Sequence, residues 1–228
     1  MGEKKQKEAA QKKWKKVLFV VAAILFVVVM VVSSMGTYWI TGIAPIKAGD
    51  QVAIDYTLYS ATGAPVITTN QQTFKQMLEN GQGVMYSNAL TLTANRSATQ
   101  ALTPVSVYVP TGSGSWQQFA FYNPEIDALS NGVSGMRTGE SKKVTITYPE
   151  TMSRLFTEED LAAVNMNMSS LSVGDTLSLG VSDNPNSSVS DATTYIRLGD
   201  VTRKTDAGVV VDFGYPYAEI TVKSFTNS

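Results

Sequence analysis

Asn123-Pro124-Glu125-Ile126-Asp127-Ala128-Leu129 runs into Gly132-Val133-Ser134-Gly135-Met136-Arg137-Thr138-Gly139-Glu140-Ser141-Lys142-Lys143-Val144-Thr145-Ile146, and the reading of this stretch decides the fold. Asn123 is placed to cap a helix, Pro124 suits its first position, and Glu125 sits against the positive end of the dipole. Ile126, Leu129 and Val133 fall on one face. Gly135 ends the helix, and a second turn at Thr138-Gly139 feeds a strand whose Val144 and Ile146 point the same way. The product is one short apolar helix laid on a sheet.

Working outward, Gln51 to Tyr59 alternates with Val52, Ile54, Tyr56 and Leu58 on one face, the pattern of a half-buried strand. Thr62-Gly63-Ala64-Pro65 turns into a short strand, Val66 to Thr69. Gln71 to Asn80 is predicted helical with Phe74, Met77 and Leu78 as its stripe. Further strands are expected at 89–93, 105–109, 118–122, 177–181, 194–198, 209–213 and 219–225, and a helical piece at 156–161. Thr111 to Ser115 and Asn184 to Ser188 are loops.

The N-terminus has a different composition. Residues 1–16 carry seven lysines against Glu3 and Glu8, Val17 to Val32 is wholly apolar, and no charge follows until Lys47. About 24 residues from 17 to 40 match the ~20 needed to cross a bilayer, with Tyr38 and Trp39 as interfacial anchors and the lysines inside. The expectation is a cytoplasmic tail at 1–16 and a transmembrane helix at 17–40. This makes a signal-anchored, single-pass membrane protein whose C-terminal part is extracytoplasmic. A cleaved signal peptide and a buried helix are the alternatives; the long run without a small-residue cleavage site, and without a polar face, argues against both.

Beyond residue 46 the chain holds 11 Lys+Arg against 17 Asp+Glu, so nothing invites nucleic acid. The chain has neither cysteine nor histidine, which excludes disulfides, thiol nucleophiles, zinc-thiolate sites, catalytic triads and imidazole bases. Chemistry that needs no proton shuttle is what remains.

The helix-turn-strand unit resembles the heart of the FKBP-type peptidyl-prolyl isomerases. The likeness covers Lys47 to Thr69, Phe119 to Glu150 and the last strand. Leu171-Ser172-Val173-Gly174-Asp175, Gly199-Asp200-Val201-Thr202 and Val209 to Ala218 follow the order of SlyD-like and archaeal members, which carry an extra β domain in the flap as a chaperone platform. The resemblance implies an α+β fold: an antiparallel half-barrel sheet wrapped on a short helix, with an inserted small β domain and a preceding transmembrane helix. Its domains would be 44–150 plus 213–228, with 70–118 as an elaborated insertion, and an inserted flap at 151–212.

By position, the resemblance gives Tyr56, Ile126 and Leu129 catalytic places and puts Val66, Ile67, Phe119 and Ile220 around a substrate proline. No cofactor or metal is implied. Partners would be unfolded or proline-containing exported proteins, the lipid bilayer and a membrane-complex partner. The chain departs from the family where Ile67-Thr68 replaces Phe-Asp, where Thr151-Met152-Ser153 replaces Ala-Tyr-Gly, and where Gly214-Tyr215 replaces Asn-His. These departures imply a shallower pocket with fewer polar fixing groups. Isomerase with folding-chaperone action is the first expectation. A catalytically degenerate binding protein, holdase or accessory subunit, is the second, and an unrelated envelope β protein the third.

Lesser signals are sequons at Asn95, Asn167 and Asn186, compatible with glycosylation. Glu158-Glu159-Asp160 reads as a cation site or, more simply, a helix start. Met152, Met166 and Met168 are flexible apolar side chains suited to gripping clients or to ordinary packing.

Overall fold

The computed structural model describes residues 18–31, 33, 44–112, 114–182 and 193–227. They form two separate units, one ending at Ala44 and one from Pro45 onward.

In the first unit, residues 18–31 form a helix (α1) exposed on all sides. No helix among the described residues is long and apolar enough to cross a membrane. That finding corrects the expected transmembrane helix at 17–40 and with it the signal-anchor and single-pass membrane placement. The parts of that expectation at 1–17, 32 and 34–43 lie outside the described residues.

The second unit is built on a 12-stranded sheet. Its main path runs β7 (Ser141–Thr145), β12 (Tyr217–Thr226), β1 (Gln51–Tyr59), β2 (Pro65–Thr68), β3 (Met85–Ser87), β5 (Leu102–Val109), β6 (Ser115–Tyr122), β10 (Thr194–Thr205), β11 (Gly208–Asp212) and β8 (Ser153–Phe156). Off this path, β4 (Leu90–Thr93) pairs with β1 and β9 (Thr176–Ser182) with β10. The sheet is mixed, because β2 and β3 run parallel, as do β6 and β10. The expectation of an antiparallel half-barrel is corrected in one respect: the curled half-barrel sheet is mixed.

The parallel β2–β3 pair has a local cause. Parallel neighbours need a crossover of a dozen or more residues, usually a helix. Helix α2 (Gln71–Glu79) supplies it, started by Asn70, whose Oδ1 accepts the N–H groups of Gln72 at 2.9 Å and Thr73 at 3.2 Å. Residues 70–118 therefore contribute β3, β4 and β5 to the sheet itself.

Helix α3 (Asn123–Gly132) is the expected apolar helix. Its cap is Tyr122, one residue earlier than expected, in extended conformation; Asn123 already lies inside. The Tyr122 N–H donates to Glu125 Oε2 at 2.8 Å, so the carboxylate three residues on takes up the freed amide. A Cβ at Gly132 would lie 2.6 Å from Val144 Cγ2, so only glycine lets α3 press this closely on β7. Gly135 turns the chain at φ +78 and donates its N–H to Ile46 O at 2.9 Å.

Two cores result. The larger gathers Val52, Ile54, Tyr56 and Leu58 of β1 with Phe119 and Phe121 of β6, Ile126 and Leu129 of α3, its C-cap Val133, and Ile220 and Val222 of β12. Each such side chain contributes roughly 1.5–3 kcal/mol on burial. The smaller joins Leu161, Leu171, Leu177, Val201, Val209 and Val211. It lies under β8 to β11 and helix α4 (Glu158–Ala163). Thr157 caps α4, its Oγ accepting the Asp160 N–H at 3.2 Å. Glu158-Glu159-Asp160 is thus a capped helix start, and no group of acids that could hold a metal occurs among the described residues.

Candidate functional site

All seven residues named from the sequence meet in the larger core: Tyr56, Val66, Ile67, Phe119, Ile126, Leu129 and Ile220. They meet as packing. Ile67, Phe119 and Leu129 are 0% exposed, Ile220 1% and Tyr56 2%. Tyr56 meets Phe121 edge-on at 5.7 Å, and Phe121 meets Phe119 edge-on at 5.4 Å. Ile126 borders an open depression of about 240 Å³ beside β4, Arg96 and Ser130. The Tyr56 hydroxyl is buried, with the Ser87 side chain as its polar neighbour. Burial raises its pKa well above the ordinary tyrosine value.

Phe119 is covered from the other side. Tyr215 stacks on it at 6.0 Å, and the Arg197 guanidinium lies 5.5 Å from its centroid. Arg197, on β10, is wholly buried. Its Nε donates to Phe213 O at 2.9 Å and its Nη1 to Ala120 O at 2.7 Å. The guanidinium forks onto Glu125, with Nη1 to Oε2 at 3.1 Å and Nη2 to Oε1. Tyr122 and Tyr215 flank it at 4.3 and 4.4 Å. Glu125 Oε1 also accepts the Tyr148 hydroxyl at 2.5 Å. That hydroxyl in turn accepts the Tyr215 N–H at 2.8 Å. Burial alone would lower the Arg197 pKa, but the adjacent Glu125 carboxylate overrides it and holds the group above its ordinary value. Burial, then the same carboxylate, pushes Tyr148 up.

Sequence reasoning missed Arg197, Tyr148 and Tyr215 and gave Glu125 only a role at the helix dipole. The available signal was an arginine inside the apolar strand Tyr195-Ile196-Arg197-Leu198, since a cation there must bring its own partner.

An open groove of about 500 Å³ lies beside this network. Phe213 and Tyr122 form one wall, Phe156, Leu161, Val164 and Met166 another, and residues 177–182 of β9 run along it. Arg154 and Asp160 supply its charge. Strand β9 pairs with β10 alone among the described residues, so alternate peptide groups of Leu177 to Val181 face away from the sheet. The groove combines apolar walls with a strand edge that no other described strand than β10 pairs, which suits an extended polypeptide rather than a compact polar ligand.

Of the sequons, Asn95 is exposed at a left-handed turn, φ +55. Asn167 Oδ1 accepts the Ser169 N–H at 2.9 Å and its hydroxyl at 2.8 Å. Asn186 lies outside the described residues. Met166 and Met168 pack on the smaller core.

No family model matches this chain, and no curated protein does.

Proposed function

We propose that residues 45–228 are a polypeptide-binding domain of FKBP-like descent, a holdase or accessory subunit that captures extended, unfolded segments. Its prolyl site is closed. The observation that carries this reading is the pairing of an open apolar groove along the β9 edge with burial of Tyr56, Phe119 and Leu129. An incoming strand gains main-chain hydrogen bonds from β9, and its alternate side chains meet Phe156, Val164, Met166 and Phe213.

The test uses the whole protein with two substrates. Suppression of heat-induced aggregation of citrate synthase at near-stoichiometric ratios, with no acceleration of a proline-limited refolding reaction, supports the reading. Acceleration of refolding without suppression of aggregation overturns it.

Prolyl isomerisation is the second reading, and one observation favours it. Tyr56 brings a buried phenol hydroxyl into the apolar core, with Ser87 as its polar neighbour. Twisting an X–Pro amide removes its resonance and favours an apolar surrounding, so no acid or base is needed. That chemistry is open to a chain without histidine or cysteine.

A further inference from the structure

We propose that the outer face of β3, β5 and β6 carries a second binding site, for a neutral oligosaccharide, built on Tyr86, Tyr108, Trp116 and Phe74. It shares no lining residue with the β9 groove.

The row of rings follows from register. Tyr108 of β5 stands opposite Trp116 of β6 and opposite Tyr86 of β3, so three rings lie side by side across three strands. Ser87 and Val107, next to Tyr86 and Tyr108 in sequence, are buried, and so is Phe119, three residues past Trp116. The two-residue period therefore turns all three rings to the outer face. Phe74 of α2 joins them, 5.4 Å from Tyr86 and 6.3 Å from Tyr108, while Tyr108 lies 5.8 Å from Trp116. Trp116 ends the row 54% exposed. Helix α2 buries no residue, so it lies on this face without sealing it. A Cβ at Gly114, where φ is +70, would collide with the Tyr108 hydroxyl, so glycine lets the chain before β6 close on that ring and fix it.

Charge decides the occupant. Between Glu79 and Glu125 the sequence holds one charged residue, Arg96, and it borders the depression beside β4. Lys75 and Glu79 on α2 offset each other. Beside the rings stand exposed amides and hydroxyls: Gln118 opposite Ser106, two residues along β6 and β5, and Gln71, one turn before Phe74 on α2. A neutral sugar matches both features. Its C–H face packs on an aromatic ring, and its hydroxyls exchange hydrogen bonds with amides and hydroxyls. Adjacent rings tilt by 52° to 74°, which suits a single turning glycan chain better than a flat crystalline one. Single-stranded nucleic acid also stacks on rings but needs a cationic groove along its phosphates. A membrane-facing surface is rich in lysine and arginine around its apolar side chains. This face offers neither.

Isothermal titration of the full chain with maltohexaose, cellohexaose and chitohexaose tests the site, with a heparin-derived hexasaccharide as the charged comparison. At least one neutral hexaose is expected to bind saturably, and the sulfated one is not. Trp116→Ala should weaken that binding about tenfold or more, and Gln118→Ala severalfold, with aggregation suppression unchanged. Near-ultraviolet dichroism checks that each variant is folded; should Trp116→Ala fail, Gln118→Ala decides. Binding of no neutral hexaose overturns the proposal, and so does wild-type affinity in the deciding variant. Without hexaose binding, Trp116-dependent attachment to phosphatidylcholine–phosphatidylglycerol vesicles assigns the face to a membrane instead. Trp116-dependent dimerisation in sedimentation, again without hexaose binding, assigns it to a second copy of the chain. Either result overturns the glycan site.

Discussion

Arg197 and Glu125 form a forked ion pair with both side chains fully shielded from water, joining β10 to the first turn of α3. Buried pairs are weak evidence of net stability, because desolvation offsets their attraction, yet losing one partner is costly. Glu125→Ala should therefore destabilise the domain by about 3–5 kcal/mol in urea unfolding. Adding Arg197→Met should recover part of that loss, since no uncompensated charge then remains. A double variant as destabilised as the sum of the singles, or more so, would show that the two side chains are not coupled as described.

Leu129→Ala separates packing from recognition. Leu129 is fully buried in the larger core, so truncation should cost about 2–5 kcal/mol by urea titration. Affinity for an unfolded client, measured under conditions where the variant stays folded, should be unchanged. A loss of affinity would place Leu129 at the binding surface.

The groove makes the opposite prediction. Val164 lines it and is 62% exposed, so Val164→Asp should leave stability within about 0.5 kcal/mol. Fluorescence anisotropy with an unfolded client should show affinity falling severalfold. Undiminished affinity would remove this wall from the binding surface.

Gly132→Ala tests how α3 sits on β7. The added methyl would meet Val144 at 2.6 Å, and overpacking of this kind costs about 1–3 kcal/mol. Val144→Ala in the same chain should relieve the clash, giving a double variant less destabilised than two independent losses imply.

Alkaline pH probes the buried phenols. Burial raises the pKa values of Tyr56, Tyr148 and Tyr215 above the ordinary value near 10. A pKa raised by folding means the native state holds the proton more tightly. The associated stability is complete below the unfolded-state pKa and declines as pH rises towards the folded one. Unfolding free energy should fall above about pH 10 by up to ~1.4 kcal/mol per pH unit for each phenol. Urea midpoints between pH 9 and 11 measure the decline, and a flat profile would mean the three phenols are not buried.

Much of the fold was legible because it depended on local periodicity. Strand β1 buries Val52, Ile54, Tyr56 and Leu58, as its alternation requires, and α3 with its C-cap turns Ile126, Leu129 and Val133 into the core. Alternation cannot say which strands pair, however. The parallel contact of Ile196 with Phe119 joins residues 77 apart in sequence, and no local pattern encodes it. The apolar run at 17–32 signalled hydrophobicity, but no helix among the described residues is long and apolar enough to cross a membrane. The seven candidate residues share one core because a pocket and a core draw on the same apolar stripe. Whether such a stripe is open depends on what covers it, and the cover is Tyr215 and Arg197, brought from another part of the chain.

Amide chemical-shift mapping with an unlabelled, extended client peptide tests the central claim most directly. The account predicts perturbations along Leu177 to Val181, Val164 and Phe213, with the amides of Tyr56, Ile67 and Leu129 unmoved. Perturbations centred on Tyr56, Ile67 and Leu129, with β9 silent, would contradict it.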